Sequence, residues 1–158
     1  MLFSKSNIES TYDLKISNIP IINSELIKDL GIYFQNNLKF DKHIESIIIK
    51  AKRKVNYVKF ACRDFKNIQL LKNIYNTLIK SILNYVSVIW NTEKKLDIEK
   101  LEKIQHIFLR FLSYKTRIPM SFIDHNYNPI MNLINITSLQ NSRAINDLKF
   151  YLNYQIMR

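Results

Sequence analysis

The residues best placed to do chemistry in this chain are cations at helical spacing. Lys50, Arg53, Lys54 and Lys59 lie off the apolar positions of one predicted helix. Lys100, Lys103, His106 and Arg110 recur at spacings of 3, 3 and 4, which places them on one face of another. A row of cations along a helix can track phosphates, each contact releasing counterions. The plainer alternative is a solvated face paired with Glu99 and Glu102. Aromatic residues interleave with these charges at Tyr57, Phe60, Phe65 and Tyr75, and most are expected to serve as packing. No Ser/His/Asp grouping stands nearby, and no close carboxylate pair sits in an apolar setting. The acidic residues fall on predicted helix surfaces, so nothing is arranged to hold paired Mg²⁺ ions for phosphoryl transfer. No catalytic residue and no metal ligand is assigned.

Composition narrows the function classes further. With Gly 1 and Pro 3 in 158 residues, a Gly-rich phosphate loop or dinucleotide fingerprint is excluded. A large all-β fold is disfavoured because tight turns want Gly, Asn or Asp, although the plentiful Asn can serve some of them. Cys62 is the only cysteine, which rules out an intrachain disulfide and a cysteine zinc site. His43, His106 and His125 lack ligand-like spacing. Residues 1–10 contain no apolar core of a signal peptide, so an intracellular location, nucleus or cytoplasm, is expected and the sequon Asn135-Ile136-Thr137 carries no meaning. No run of about 18 apolar residues exists. The nearest candidate, 70–90, is broken by Lys72, Lys80 and several Asn, so no membrane partner is expected.

The net charge is +11, from 24 Lys and Arg against 13 Asp and Glu. Ile, Asn and Lys, all with A/T-rich codons, make up 26, 18 and 18 of the residues, so compositional drift explains part of the excess. Drift would spread evenly, and the charge does not. Residues 1–40 carry 4 basic and 4 acidic residues, 41–117 carry 17 and 7, and 118–158 carry 3 and 2. A local basic field of this kind attracts polyanions.

The elements that must position these charges follow from periodicity. Tyr12, Leu14 and Ile16 alternate with polar residues, predicting a strand, and Asn18-Ile19-Pro20 reads as a turn. A second strand is predicted over Ile27 to Phe34, with Gly31, the only glycine, inside it as a bulge or close backbone approach. From Asp41 the period becomes helical. Ile44, Ile48, Ala51, Val55, Val58 and Cys62 form one stripe. A second helix follows the N-cap Asn67, with Leu71, Ile74, Leu78, Ile82, Tyr85 and Ile89 inward. A third runs from about Leu96 to Tyr114, with Leu101, Ile104, Phe108 and Phe111 inward. Short connections near 64–67 and 91–96 imply antiparallel neighbours, hence a three-helix bundle. Residues 118–128 read as a loop. Asn128-Pro129 starts a helix, and a capping box at Thr137/Gln140 starts the last one, with Leu139, Ala144, Leu148 and Tyr151 or Leu152 inward.

Specific residues then resemble a known family. Lys28-Asp29-Leu30-Gly31-Ile32, followed by Leu38-Lys39-Phe40-Asp41-Lys42-His43-Ile44, is similar to a segment of the reverse transcriptases of jockey-like non-LTR retrotransposons. Lys50-Ala51-x-Arg53 and Arg63-Asp64-Phe65 resemble the family's first thumb helix and its end. Leu71 to Trp90, ending Ile82-Leu83-x-Tyr85-x-Ser87-Val88-Ile89-Trp90, resembles the next block, with Ser81 where the family commonly has Pro. Leu101-Glu102-Lys103-Ile104-Gln105 through Arg110, and Leu139 to Leu152 with Arg143, Asp147-Leu148 and Phe150, resemble later blocks. The similarity covers nearly the whole chain.

This resemblance implies a mainly α fold: a short β-hairpin remnant of a reverse-transcriptase palm over 1–38, a three-helix thumb-like bundle over 39–117, and a loop and C-terminal helix over 118–158. Leu30 and Gly31 would be primer-grip-like, with Gly31 letting the backbone approach the primer. Lys50, Arg53, Lys54, Lys59, Lys100, Lys103 and Arg110 would contact the phosphates of an RNA/DNA primer–template duplex without sequence preference. The family's catalytic aspartates and Mg²⁺ site lie upstream, and this chain has no Asp-Asp pair. Met1-Leu2-Phe3-Ser4 resembles the interior of a palm strand, so the chain is expected to begin mid-domain, without fingers or most of the palm and without polymerase activity of its own. The alternatives are a free-standing basic helical module that binds nucleic acid or protein, and a structural bundle whose charge is drift.

Overall fold

A computed structural model of the protein describes residues 15–20, 24–117 and 126–157. The expected strand positions Tyr12 and Leu14, the Met1–Ser4 segment and most of the expected loop after residue 117 lie outside them. The chain divides at Glu45 and Ser46 into two compact units.

The first unit contains two antiparallel hairpins. Strand β1 (Lys15–Ile16) pairs with β2 (Ile19–Pro20), and β3 (Leu26–Asp29) pairs with β4 (Ile32–Gln35). Both links are two residues long and left-handed: Ser17 at φ 52° and Asn18 at 63°, Leu30 at 44° and Gly31 at 87°. Positive φ at both central positions is the signature of the turn whose twist matches its flanking strands. The strand expected to run through Gly31 is therefore broken there, with Asp29 facing Ile32 across the turn. Gly31 supplies a turn rather than a bulge, because a residue without Cβ takes positive φ at no steric cost. The first turn likewise sits at Ser17 and Asn18, not over Asn18-Ile19-Pro20.

Side chains tie β4 to the residues that follow. The Gln35 Oε1 accepts the Lys42 N–H at 3.1 Å, and the rings of Phe34 and Phe40 meet edge-on at 5.9 Å between centroids. The buried His43 accepts the Tyr33 N–H on Nδ1 at 3.4 Å. An accepting Nδ1 requires the neutral tautomer with its proton on Nε2, so this histidine is a structural bracket.

Helix α1 (Asp41–Ala61) carries the chain into the second unit. From Ser46 onward it buries Ala51, Val55, Val58 and, just beyond its end, Cys62, as expected, with Ile47 taking the place expected of Ile48. Asn67 caps α2 (Ile68–Tyr75), its Oδ1 accepting the Leu70 N–H at 3.0 Å. Beyond that cap the expected stripe fails. The buried residues are Leu71, Tyr75, Ile79 and Leu83, while Leu78, Tyr85 and Ile89 are exposed. Steps of four drift by about 40° each on a helix of 3.6 residues per turn. A π-helical turn at Asn76–Lys80 absorbs the drift, with the Ser81 N–H reaching back five residues to the Asn76 carbonyl.

Helix α3 (Ser81–Asn84) then stops, and Val86 takes φ 48°, a conformation a β-branched residue adopts only under constraint. The break redirects α4 (Ser87–Trp90), which buries Trp90 with its indole N–H donated to the Tyr85 carbonyl at 2.8 Å. The single helix expected from Leu71 to Trp90 is thus four short pieces.

Helix α5 (Lys95–Thr116) is the axis of the unit, packed against α2, α6 (Asn128–Ile134) and α7 (Leu139–Ile156). It buries Leu101, Ile104 and Phe108 as expected, and also Leu109 and Leu112, while Phe111 is half-buried. Phe108 stacks on Tyr75 with ring centroids 4.7 Å apart. Burial, with Glu102 adding to it, pushes the Tyr75 phenol above its ordinary range.

Helix α7 also packs on α3 and α4. Ser138 caps it, accepting the Asn141 N–H at 3.2 Å, one residue later than the expected Thr137/Gln140 box. The Gln140 N–H is instead donated to Glu102 Oε1 at 2.8 Å. The inward face holds Leu139, Ser142 and Arg143, whereas Ala144, Leu148, Tyr151 and Leu152 are exposed. Leu139 and Arg143 are one turn apart and share a face, whereas Ala144, Leu148 and Tyr151 fall on the other side of a helix of 3.6 residues per turn. The Arg143 guanidinium lies 5.9 Å from the centre of the Trp90 ring. Burial lowers its pKa from the ordinary arginine range, and the charges of Glu102 and Asp147 oppose that. Polar groups fill a stripe that an apolar count assigns elsewhere.

Two variants separate the observed core from the expected one. Ile79→Ala should cost about 2–5 kcal/mol of unfolding free energy in urea titrations. Leu148→Ser, at a position 63% exposed, should stay within about 0.5 kcal/mol. A severe loss at Leu148 would contradict this placement of α7. In the first unit, Gly31→Val should cost about 1–2 kcal/mol and loosen amide protection across residues 26–35.

Candidate nucleic-acid interface

From Ser46 to Arg63 the chain carries Lys50, Lys52, Arg53, Lys54, Lys59 and Arg63 and no carboxylate. Its Lys, Arg and Ala are good helix formers, and its β-branched residues fall mostly on the buried stripe. At about 100° per residue, Lys50, Arg53, Lys54 and Tyr57 lie on one flank of that stripe and Lys59 and Arg63 on the other. The structure resolves these flanks into separate grooves. Lys50, Arg53, Lys54 and Tyr57 line one together with Ile82. Lys59 and Arg63 line another with Arg110 and Lys115 from the end of α5. The α1 cations expected to act together are divided, with Lys59 apart from the other three.

The α5 row divides too. Lys100 Nζ lies 3.7 Å from Asp97 Oδ1. Lys103, His106 and Arg110 line a cleft that also holds Glu93, Glu99 and Glu102, so the plainer reading of a paired face fits here. Arg110 Nε donates to the Tyr127 hydroxyl at 3.1 Å, and the Tyr127 ring stacks on His106 at 3.9 Å. Leu30 and Gly31 belong to the other unit, at the tip of the β3–β4 turn, where Leu30 is 82% exposed.

Aromatic side chains are the residues that periodicity undervalued. Tyr57 is 62% and Phe60 74% exposed, and Phe65 is also exposed; of the four interleaved aromatics, Tyr75 alone is core. Lys54 Nζ lies 6.0 Å from the Tyr57 ring centre, and the Arg63 guanidinium 5.9 Å from that of Phe60. The angular position of Tyr57, off the buried stripe and between the cations, was the available signal. Cations alternating with exposed rings suit a sugar–phosphate chain, with phosphates on the charges and sugars or bases on the rings.

Two titratable groups report the local field. Burial lowers the pKa of Lys80, and neighbouring Lys72 lowers it further. The buried Cys62 thiol is pushed up by burial, and the charge of Lys115 pulls the other way. Among the described residues no group of three or more His, Cys, Asp or Glu is disposed to hold a metal ion, and no helix is long and apolar enough to cross a membrane.

No family model matches the chain, and no solved structure matches it. It is 28% identical over 127 residues to an uncharacterized protein of Caenorhabditis elegans, across 80% of this chain and 62% of that protein. The chain thus spans less than two-thirds of the length of that relative.

Because the reactive form is the thiolate, a raised pKa leaves less of it at neutral pH. Native Cys62 should therefore resist iodoacetamide at pH 7.5, becoming labelled only in denaturant. Lys115→Ala should slow native labelling further at alkaline pH. Rapid native labelling, read by intact mass, would contradict the burial.

Proposed function

We propose that this chain is a thumb-type, duplex-holding part of the reverse transcriptase of a non-LTR retrotransposon, and that it binds primer–template nucleic acid through backbone phosphates. The observation that carries the reading is the acid-free flank of α1, where Lys50, Arg53 and Lys54 line a groove beside the exposed ring of Tyr57. Cations on one helix flank contact successive phosphates and carry no base information, so the binding is sequence-independent. The charge and its placement on a rigid helix suffice for this step, whatever the family of the chain. The ordered blocks from Lys28 to Leu152 that resemble the retrotransposon enzymes give the duplex its identity as primer–template. The β3–β4 tip, with Leu30 exposed and Gly31 in the turn, leaves backbone accessible to a primer strand, which is the role the resemblance implies for it.

Ser81, the departure from the family pattern, ends the π-helical turn with an N–H that a proline would lack. A second reading, a free-standing basic module, is favoured by the compactness of the unit from Ser46 onward, which holds the bundle and the C-terminal helices together.

The test is fluorescence anisotropy of the whole chain against a labelled RNA–DNA hybrid at several salt concentrations. Affinity should fall with rising salt, with a slope of about −0.9 for each phosphate contacted. Joint substitution Lys50→Glu, Arg53→Glu and Lys54→Glu should weaken binding at least about tenfold and flatten that slope. Unchanged binding by this variant, with its helical circular dichroism intact, sinks the proposal.

A further inference from the structure

The groove between the ends of α1 and α5 differs in kind from the flank assigned to duplex. Lys59 and Arg63 stand on one side, Arg110 and Lys115 on the other, and no carboxylate lines it. Its apolar surface comes from Ile107, Phe111 and Tyr114. Its volume is about 610 Å³, within the roughly 300–1,000 Å³ of small-ligand sites.

Local charges do not cancel these cations. Arg63 pairs with Asp64 at 3.3 Å. The two helix C-termini contribute about half a negative charge each. Arg110 also borders the cleft that holds Glu93, Glu99 and Glu102, so Lys59, Arg63 and Lys115, less one for Asp64 and about one for the helix ends, leave roughly +1. That surplus calls for an anion of one charge, as a phosphodiester is.

The rings narrow the choice of anion. Tyr114 is 85% exposed, so packing does not account for it. Lys115 Nζ lies 5.5 Å from the Phe111 ring centre, which sets a cation beside an aromatic surface. A ring surface next to an anion site suits a phosphate that carries a planar base. In a duplex the base faces are stacked on one another and cannot reach such a floor. An unpaired nucleotide can, and stacking on protein rings is the sequence-tolerant way single strands are held.

We propose that this groove binds a single-stranded nucleic-acid segment, with phosphate among Lys59, Arg63, Arg110 and Lys115 and an unpaired base on Tyr114 and Phe111. The inference rests on the reading of this chain as a nucleic-acid binder and deepens it by adding a single-strand site distinct from the Lys50–Arg53–Lys54 flank.

Anisotropy titrations of the whole chain test it with three probes: a labelled oligo-dT 12-mer, a fully abasic strand of the same length, and a blunt RNA–DNA hybrid. Tyr114→Ala should weaken oligo-dT about tenfold and leave the abasic strand and the hybrid unchanged. Lys59→Glu with Lys115→Glu should weaken both single strands more than the hybrid. The Lys50, Arg53 and Lys54 reversal should do the opposite. Tyr114 is exposed enough that its loss should not unfold the chain, and circular dichroism checks this.

Unchanged oligo-dT affinity in Tyr114→Ala, or an equal loss for all three probes, overturns the single-strand site. Displacement of oligo-dT by poly-glutamate as readily as by unlabelled oligo-dT overturns it in favour of an acidic peptide. Failure of the hybrid arm alone removes the duplex reading and leaves this site standing.

Discussion

The ring of Tyr75 against that of Phe108 marks the contact on which the second unit is organised. Both rings are fully buried, and one face of α5 buries Leu101, Ile104, Leu109 and Leu112 beside them. Tyr75 is the second of four residues spaced by four, and that spacing cannot stay on one side of a regular helix. The π-helical turn at Asn76–Lys80 keeps Ile79 and Leu83 facing inward after Tyr75. The break at Val86 then releases the chain so that Trp90 can be buried and Arg143 can lie over its ring. Irregular backbone in this unit is the means by which a poorly phased sequence still closes its core.

With one side of α5 and the stripe of α1 committed to packing, the charges are left to the flanks. Their distribution there is uneven. On α5 Lys103 shares its cleft with Glu99 and Glu102, and Lys100 lies 3.7 Å from Asp97, so the signs largely offset. The flanks of α1 have no acids between Ser46 and Arg63, so their fields add. This is where the local excess of the middle segment is concentrated on the surface. Exposed rings lie within the same surfaces, Tyr57 beside Lys54 and Tyr114 beside Lys115.

Much of the architecture was legible in the residues. The stripe of α1, the Asn67 cap and most of the buried residues of α5 followed from periodicity and cap chemistry, and Asn128-Pro129 begins α6 as expected, although the cap position is Tyr127 rather than Asn128. What failed did so for identifiable reasons. The Leu71–Ile89 stripe assumed a uniform helix, and a π turn and an αL valine removed that premise. The α7 stripe joined Leu139 to Ala144, Leu148 and Tyr151, which lie on the other side of a regular helix, and the buried face holds Ser142 and Arg143 beside Leu139 instead. Gly31 lies inside one run from Ile27 to Phe34 that reads as a single strand, and two short strands joined by a two-residue turn look the same in sequence.

The sequence by itself determined the helical class, the position of the basic segment and the absence of acids from Ser46 to Arg63, because these are properties of composition and local period. Only the tertiary structure decided which cations share a groove. Lys54 and Lys59 are five residues apart and sit on opposite flanks of one buried stripe, while Lys59 and Arg110 are 51 apart and line the same groove. Which charges act together depends on which helix ends the core draws near one another, and that is a matter of packing between distant segments rather than of spacing along the chain.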